Sequence, residues 1–314
     1  MHDLIIIGGG PAAIGAGIYA ARKKLKTLLI TESVGGQSVV SDKIENWIGE
    51  IEISGFELAE KLEKHLRAND STEIKTGERV SEVVSDDDDN FTVKLQSGII
   101  FQSRAVIVAS GGRRRRLDIP GENEFDGKGV AFCTTCDAPL FGGKDVAVVG
   151  GGNSALESVV DLFAYANKIY LIVRGDELKG DPITQEKIKQ DSKVEIIFNA
   201  EPKEILGDKF VTGLKYENKK NNETKVLQVE GVFVEIGSVP NSEMAKNLVD
   251  INTLGEIIVD HKTAATSHQG IFAAGDVSDE IYKQNNISVG DGIRAALSAY
   301  NYILKIKKEA PAPI

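Results

Sequence analysis

Two cysteines, Cys133 and Cys136, stand three residues apart in FCTTCDAPLFGGK, and they are the only cysteines in 314 residues. An aspartate, Asp137, follows directly. Three chemistries suit such a pair: a dithiol–disulfide couple, half of a metal site, or two small apolar residues packed in a core. A redox couple needs two close sulfurs, so that one thiolate can displace the other from a mixed disulfide, and an adjacent carboxylate can carry the proton. A closed zinc site needs four ligands. The four histidines, His2, His65, His261 and His268, lack the spacing of a metal pair and are expected at the surface. No metal is therefore expected.

A duplicated pattern brackets this stretch. Asp3–Ala13 reads DLIIIGGGPAA and Asp145–Ala155 reads DVAVVGGGNSA. Each is a short apolar strand, then G-x-G-x-x-A, then a helical run. The first glycine (Gly8, Gly150) makes a tight turn. The second (Gly10, Gly152) lets backbone approach a pyrophosphate, and the small third residue (Ala13, Ala155) lets helix pack on strand. The helix N-terminus then offers its free N–H groups to phosphate. The twenty-fourth residue after Gly8 is Glu32, and after Gly150 it is Arg174. A carboxylate there accepts from ribose hydroxyls and repels a 2′-phosphate, whereas a guanidinium does the reverse. The first turn should hold an adenosine without a 2′-phosphate, such as FAD. The second tolerates NADPH, unless Arg174 merely closes its strand in solvent.

Further along, GIFAAGD ends a strand in Gly275-Asp276 before a helix expected from about Val289. An aspartate so placed can bond a ribitol hydroxyl or a water on the pyrophosphate. AVIVASGG, Ala105–Gly112, is another apolar strand ending in paired glycines, as suits a strand pressed against a cofactor. The order along the chain implies an α/β protein made of two nested, Rossmann-like, three-layer dinucleotide-binding domains. One is expected over 1–112 and 240–314, and the second, over 117–237, is inserted into it. Glycine and proline mark both joints. Asp86–Asp89 and Asn218–Asn222 read as hairpin tips, and Lys305–Ile314 as a frayed tail.

Bulk properties narrow the partners. The net charge is −10, which argues against nucleic acid or an anionic membrane surface as partner. The single basic run, Arg113–Arg116, reads as a solvated linker. No stretch reaches the ~18 apolar residues of a membrane span. The chain opens on a strand rather than a leader, so a cytoplasmic address is expected, where a lone CxxC is catalytic rather than structural.

Taken together and in order, these motifs resemble the low-molecular-weight thioredoxin reductases and the related flavoprotein component of alkyl hydroperoxide reductase. GGGPAAIGAGIYAAR resembles that family's FAD turn, and Gly35-Gly36-Gln37 with Ile44-Glu45-Asn46 its next flavin loop. CTTCD resembles the redox motif, GGGNSALE the nicotinamide turn, and GIFAAGDV with Tyr282-Lys283-Gln284 the second FAD segment. The resemblance implies FAD contacts at Gly8, Gly10, Pro11, Ala12, Ala13 and Glu32, then Gly36, Gln37, Asn46, Val80, Ala109 and Gly111, and finally Gly275, Asp276, Lys283 and Gln284. It implies nicotinamide contacts at Gly150, Gly152, Asn153, Ser154, Ala155, Arg174 and Lys179. Cys136 would receive electrons at the flavin, Cys133 would attack a partner's disulfide, and Asp137 would manage the proton. A homodimer and a thioredoxin-like protein substrate are implied as well.

The segment after the second strand of the insert departs from the pattern. NADPH-dependent members carry HRRxxxR, and here it reads VRGDELK, Val173–Lys179. Only Arg174 matches, Lys179 is a softer stand-in, and Gly175 replaces the middle arginine. Losing one bidentate phosphate donor should weaken the preference for NADPH. Two alternatives follow: an NADH-dependent reductase of a peroxiredoxin system, or a ferredoxin-dependent enzyme with a weakened nicotinamide site. The hydroperoxide-reductase relatives carry an extra thioredoxin-like module ahead of the flavin turn. Here the disulfide partner is therefore expected to be a separate protein.

Overall fold

Alternation within short strands builds both halves of the molecule. In a strand, successive side chains point to opposite faces, so an uninterrupted apolar strand must be covered on both. The computed structural model describes residues 1–41, 44–86 and 90–309. The chain divides into two compact units, Met1–Arg113 with Val239–Ile314, and Arg114–Ser238.

The first unit is built on the strand His2–Ile7. It pairs in parallel with Thr27–Ile30 on one side and Ile100–Val108 on the other, and Thr72–Lys75 and Ile271–Ala273 extend the parallel part. Leu4 and Ile6 enter one core with the small residues of the helices Pro11–Arg22 and Asn285–Glu309. Ile5 and Ile7 enter the other, against the hairpin Val80–Ser85/Phe91–Leu95 and the segment around Met244 and Val249. Each such buried side chain contributes roughly 1.5–3 kcal/mol. The hairpin closes with the Asp86 N–H donating to the Asn90 carbonyl at 2.9 Å. The rest of the expected tip, 87–89, lies outside the described residues.

The second unit repeats the plan. A five-stranded parallel sheet runs Val194–Phe198, Lys168–Val173, Asp145–Val149, Gly231–Val234, Val130–Ala131. Val146 and Val148 face the helices Asn153–Leu162 and Pro182–Gln190, while Ala147 and Val149 face the meander Ala200–Gly207, Val211–Asn218, Glu223–Leu227. Both units are thus three-layer α/β, the class expected from sequence. Asn218–Asn222 is a hairpin tip as expected.

Three local expectations need correction. The last helix starts at Asn285, not Val289. Its polar first turn is held by the Ser38 hydroxyl donating to Asn285 and by Asn286 donating to the Asn46 carbonyl. It also runs on to Glu309 rather than fraying from Lys305, because Ile303 is fully buried and Lys307 pairs with Asp3 at 2.8 Å. Residues 310–314 of the expected tail lie outside the described residues. His2 is not a surface residue: its side chain is 12% exposed, since alternation turns it inward beside Phe101. The arginine run is an exposed passage between the units, as expected: Arg113, Arg115 and Arg116 are exposed, while Arg113 donates to Asn241 and Glu243, and Arg116 donates to Asn123 and Asp126 and lies over the Phe132 ring.

In each unit the chain crosses out and back at neighbouring points. In the first unit the Asn241 N–H donates to the Gly111 carbonyl at 2.9 Å. In the second the Arg115 N–H donates to the Gly237 carbonyl at 3.0 Å.

Candidate functional site

The carboxyl ends of the parallel strands in the first unit open into a cleft of about 1050 Å³, its mouth included. Ligands bind at this edge of open α/β sheets. Gly8, Gly10, Pro11, Ala12, Glu32, Gly36 and Gln37 line it, as do Val80, Ala109, Gly111 and Asp276. Ala13 is fully buried behind it, and Gly275 is buried beside Ala12. The structure does not bring Asn46, Lys283 or Gln284 to the lining. Asn46 donates to Gln284, while Lys283 pairs with Glu256 at 2.9 Å and donates to the Ser278 carbonyl. Asn46 and Gln284 thus tie the loop at Asn46 to the segment before the last helix, while Lys283 fastens that segment to Glu256 and Ser278. Arg294, partly exposed, pairs with the buried Asp291 at 2.9 Å. Sequence reasoning missed Thr31, Arg79, Ser110, Asn241, Asn285 and Ser288, which supply much of the polar lining. They come from five separated segments and carry no local signal.

Two glycines explain the backbone of the paired turns. Gly8 has φ +129°, and a Cβ there would lie 2.1 Å from the Ala109 carbonyl oxygen. Gly150 has φ +153°, and its Cβ would lie 2.3 Å from the Glu235 carbonyl oxygen. Only glycine fits such a conformation and such a close approach. The second glycine of each motif is different. A Cβ on Gly152 would meet nothing within 4 Å, and one on Gly10 only the Gly36 Cα at 3.8 Å. Both positions therefore face open space at a helix N-terminus. Neither helix, Pro11–Arg22 or Asn153–Leu162, has a side-chain cap, so first-turn N–H groups stay available to an anion.

Around the second turn, Asn153 and Ser154 are exposed on the first helical turn and Ala155 is fully buried. The Lys179 N–H donates to the Gly151 carbonyl at 2.8 Å, which brings the 174–179 loop to the glycines. Arg174 is exposed directly after its strand, next to Gly175, Asp176 and Glu177, which are also exposed.

The cysteine turn lies in this same unit. Cys133 is extended and caps a single helical turn, Thr134–Asp137, with the Cys136 and Asp137 N–H groups donating to its carbonyl. Cys133 and Cys136 form a disulfide with Cα atoms 5.3 Å apart. Both are half-buried. Burial pushes the Asp137 carboxyl up to about 6; the Arg114 guanidinium opposes this, and Glu235 and Asp126 add to it. Such a group changes charge near neutrality, as a proton carrier for thiols requires.

Behind the turn sits a polar group that sequence reasoning missed. Thr134 and Ser158, both buried, share a hydroxyl–hydroxyl hydrogen bond. Both hydroxyl oxygens also lie within hydrogen-bond distance of the Glu235 carboxylate, at 3.2 and 3.0 Å, so one donates to it directly and the other donates to its neighbour. Burial raises the Glu235 carboxyl as well, against Arg114 and the two hydroxyls.

Comparison with known proteins fits this arrangement. Residues 2–292 match the family described as pyridine nucleotide-disulphide oxidoreductase. The chain belongs to that family. Within it, the chain is 42% identical over 303 residues to a Bacillus subtilis (strain 168) protein named NADH dehydrogenase, covering 96% of this chain and 59% of that one. It is 42% identical over 304 residues to a Staphylococcus aureus (strain MRSA252) protein named as a subunit of alkyl hydroperoxide reductase, with 97% and 59% covered. It thus spans about 59% of the length of these curated relatives. Among solved structures, thioredoxin reductase from Streptococcus pyogenes superposes with a TM-score of 0.90 at 34% identity, over 97% of this chain and 99% of that one. This oxidoreductase therefore shares its two-domain dinucleotide-binding fold with a thioredoxin reductase. Among the described residues, no helix is long and apolar enough to cross a membrane.

Proposed function

We propose that this oxidoreductase is an FAD-dependent disulfide reductase. It would take electrons from NADH or NADPH and deliver them through Cys133 and Cys136 to a disulfide on a thioredoxin-like protein or a peroxiredoxin system. The observation that carries the reading is the Cys133–Cys136 disulfide with Asp137, built into the same unit as an uncapped, glycine-opened dinucleotide turn. The cleft of the first unit fits FAD. Gly10 leaves room for a pyrophosphate, and Glu32 at the rim suits a ribose without a 2′-phosphate.

Bound FAD would supply two-electron transfer from reduced nicotinamide to the disulfide. The chain's own residues do the rest. The Cys133 thiolate attacks the partner's disulfide, forming a mixed disulfide and releasing one partner thiolate. Cys136 then attacks Cys133, which restores the Cys133–Cys136 disulfide and frees the second partner sulfur. Asp137 takes the proton that a thiol must lose to become the nucleophile. The names of the relatives, a hydroperoxide reductase component and a thioredoxin reductase, support both partner classes.

The donor is argued from residues 174–177. A single guanidinium flanked by Gly175, Asp176 and Glu177 is a poor receptor for a 2′-phosphate, which favours NADH and with it the peroxiredoxin-system reading. Anaerobic titration of the flavoprotein with each nucleotide tests this. Faster flavin bleaching by NADH supports it, and faster bleaching by NADPH reverses the donor. Bleaching by neither would move the reading to a ferredoxin-driven enzyme.

A further inference from the structure

Glu235 touches both working parts of the inserted unit. Its N–H donates to the Val149 carbonyl at 2.9 Å, and its own carbonyl occupies the space that a Cβ on Gly150 would need. Its main chain is therefore fixed by the dinucleotide turn. Its side chain reaches Ser158 on the following helix and Thr134 between the two cysteines. Thr134 is 4% exposed and Ser158 3%. A half-buried carboxylate set against two buried hydroxyls loses solvation, and glutamine would keep a hydrogen bond to them without the charge.

Charge arithmetic points the same way. The groups facing Asp137 are Arg114, Glu235 and Asp126, and the charged groups facing Glu235 are therefore Arg114 and Asp137. Asp126 is already paired with Arg116 at 2.6 Å. One guanidinium is thus shared by two carboxylates, and two carboxylates with one counter-charge favour holding one proton between them.

We propose that Glu235 is a positioning residue for the redox turn. It anchors Thr134 through the shared hydroxyls, and its charge decides when Asp137 can accept a thiol proton. The proposal rests on the disulfide-reductase reading for its use, but its test does not.

The measurement is the alkylation rate of the reduced cysteine pair with iodoacetamide, from pH 5 to 9, on the flavin-loaded full chain. Wild type should show a rise with an inflection near 6, where Asp137 loses its proton, and Asp137→Asn should lack it. Glu235→Gln removes the repelling charge and should move the inflection to lower pH. Ser158→Ala removes a donor that favours the charged form of Glu235, so it should move the inflection the same way without altering a carboxylate. Thermal melting of each variant separates these shifts from misfolding. An Asp137 inflection left in place by both variants overturns the proposal and leaves the disulfide-reductase reading standing. A wild-type profile with no Asp137 inflection overturns both the proposal and the proton-carrier role. An inflection that moves in a protein reducing no protein disulfide would support the coupling and sink only the function.

Discussion

At the scale of single residues, Asp137 sets two expectations. Its folded value of about 6 lies above the ordinary 3.8, so the fold binds this proton more tightly than the unfolded chain does. That contribution is fully present below about pH 4 and is lost as the pH rises through about 6. Above that the buried charge opposes folding. Asp137→Asn should therefore raise stability at pH 7 by on the order of 1 kcal/mol and by almost nothing below the ordinary carboxylate range. Thermal midpoints of variant and wild type across pH 4 to 8 check this, and a gap that does not grow with pH refutes it. The cysteines set another expectation. Cys136→Ser removes the resolving sulfur, so turnover with a protein disulfide should fall roughly a thousandfold or more while nucleotide still bleaches the flavin. Full turnover in that variant would end the disulfide-reductase reading. Glu235 shows the limit of reading residues one at a time. It is a carboxylate after an apolar strand, and its partners Ser158 and Thr134 lie 77 and 101 positions away. Only the folded sheet brings them together.

At the scale of elements, the two glycines of the second turn should behave as opposites. Gly150→Ala places a methyl group 2.3 Å from a carbonyl oxygen on left-handed backbone. It should cost about 2 kcal/mol or more, seen as a lower melting temperature. Gly152→Val puts its bulk into open space, so the melting temperature should change little while nicotinamide affinity falls at least tenfold. Equal loss of stability in both variants would remove the reason for assigning the space to a ligand. The strands themselves were legible in the sequence. LIII and VAVV are apolar at every position, and only a sheet covered on both faces accommodates that. The start of the last helix was not legible, because NNIS reads as loop and becomes helix only through Ser38 and Asn46. Asn46, Lys283 and Gln284 follow a family pattern in sequence, and their hydrogen bonds tie the segment before that helix to the loop at Asn46 and to Ser278.

At the scale of the whole molecule, duplication was the strongest signal, and the glycines and proline expected at the joints lie beside the division at Arg113/Arg114 and Ser238/Val239. The four consecutive arginines form an exposed passage, as their composition suggests, but the Arg113–Glu243 ion pair joins residues 130 positions apart and was not legible in the sequence. The first unit brings Gly111 and Asn241 into hydrogen-bond contact, so its two chain ends are already adjacent. A chain in which residues 114–238 are replaced by a short glycine linker should therefore fold and bind FAD, yet fail to bleach with either nucleotide. An apoprotein that unfolds, or a colourless one, would show that the first unit depends on the second. The same adjacency bears on descent. A segment whose ends meet can be lost, gained or exchanged as a cassette without redrawing the host, because the host's hydrogen-bonded seam stays where it was. A lineage built this way can change what its inserted unit binds and its thiol chemistry in a single recombination event, while the cleft of the host unit stays untouched.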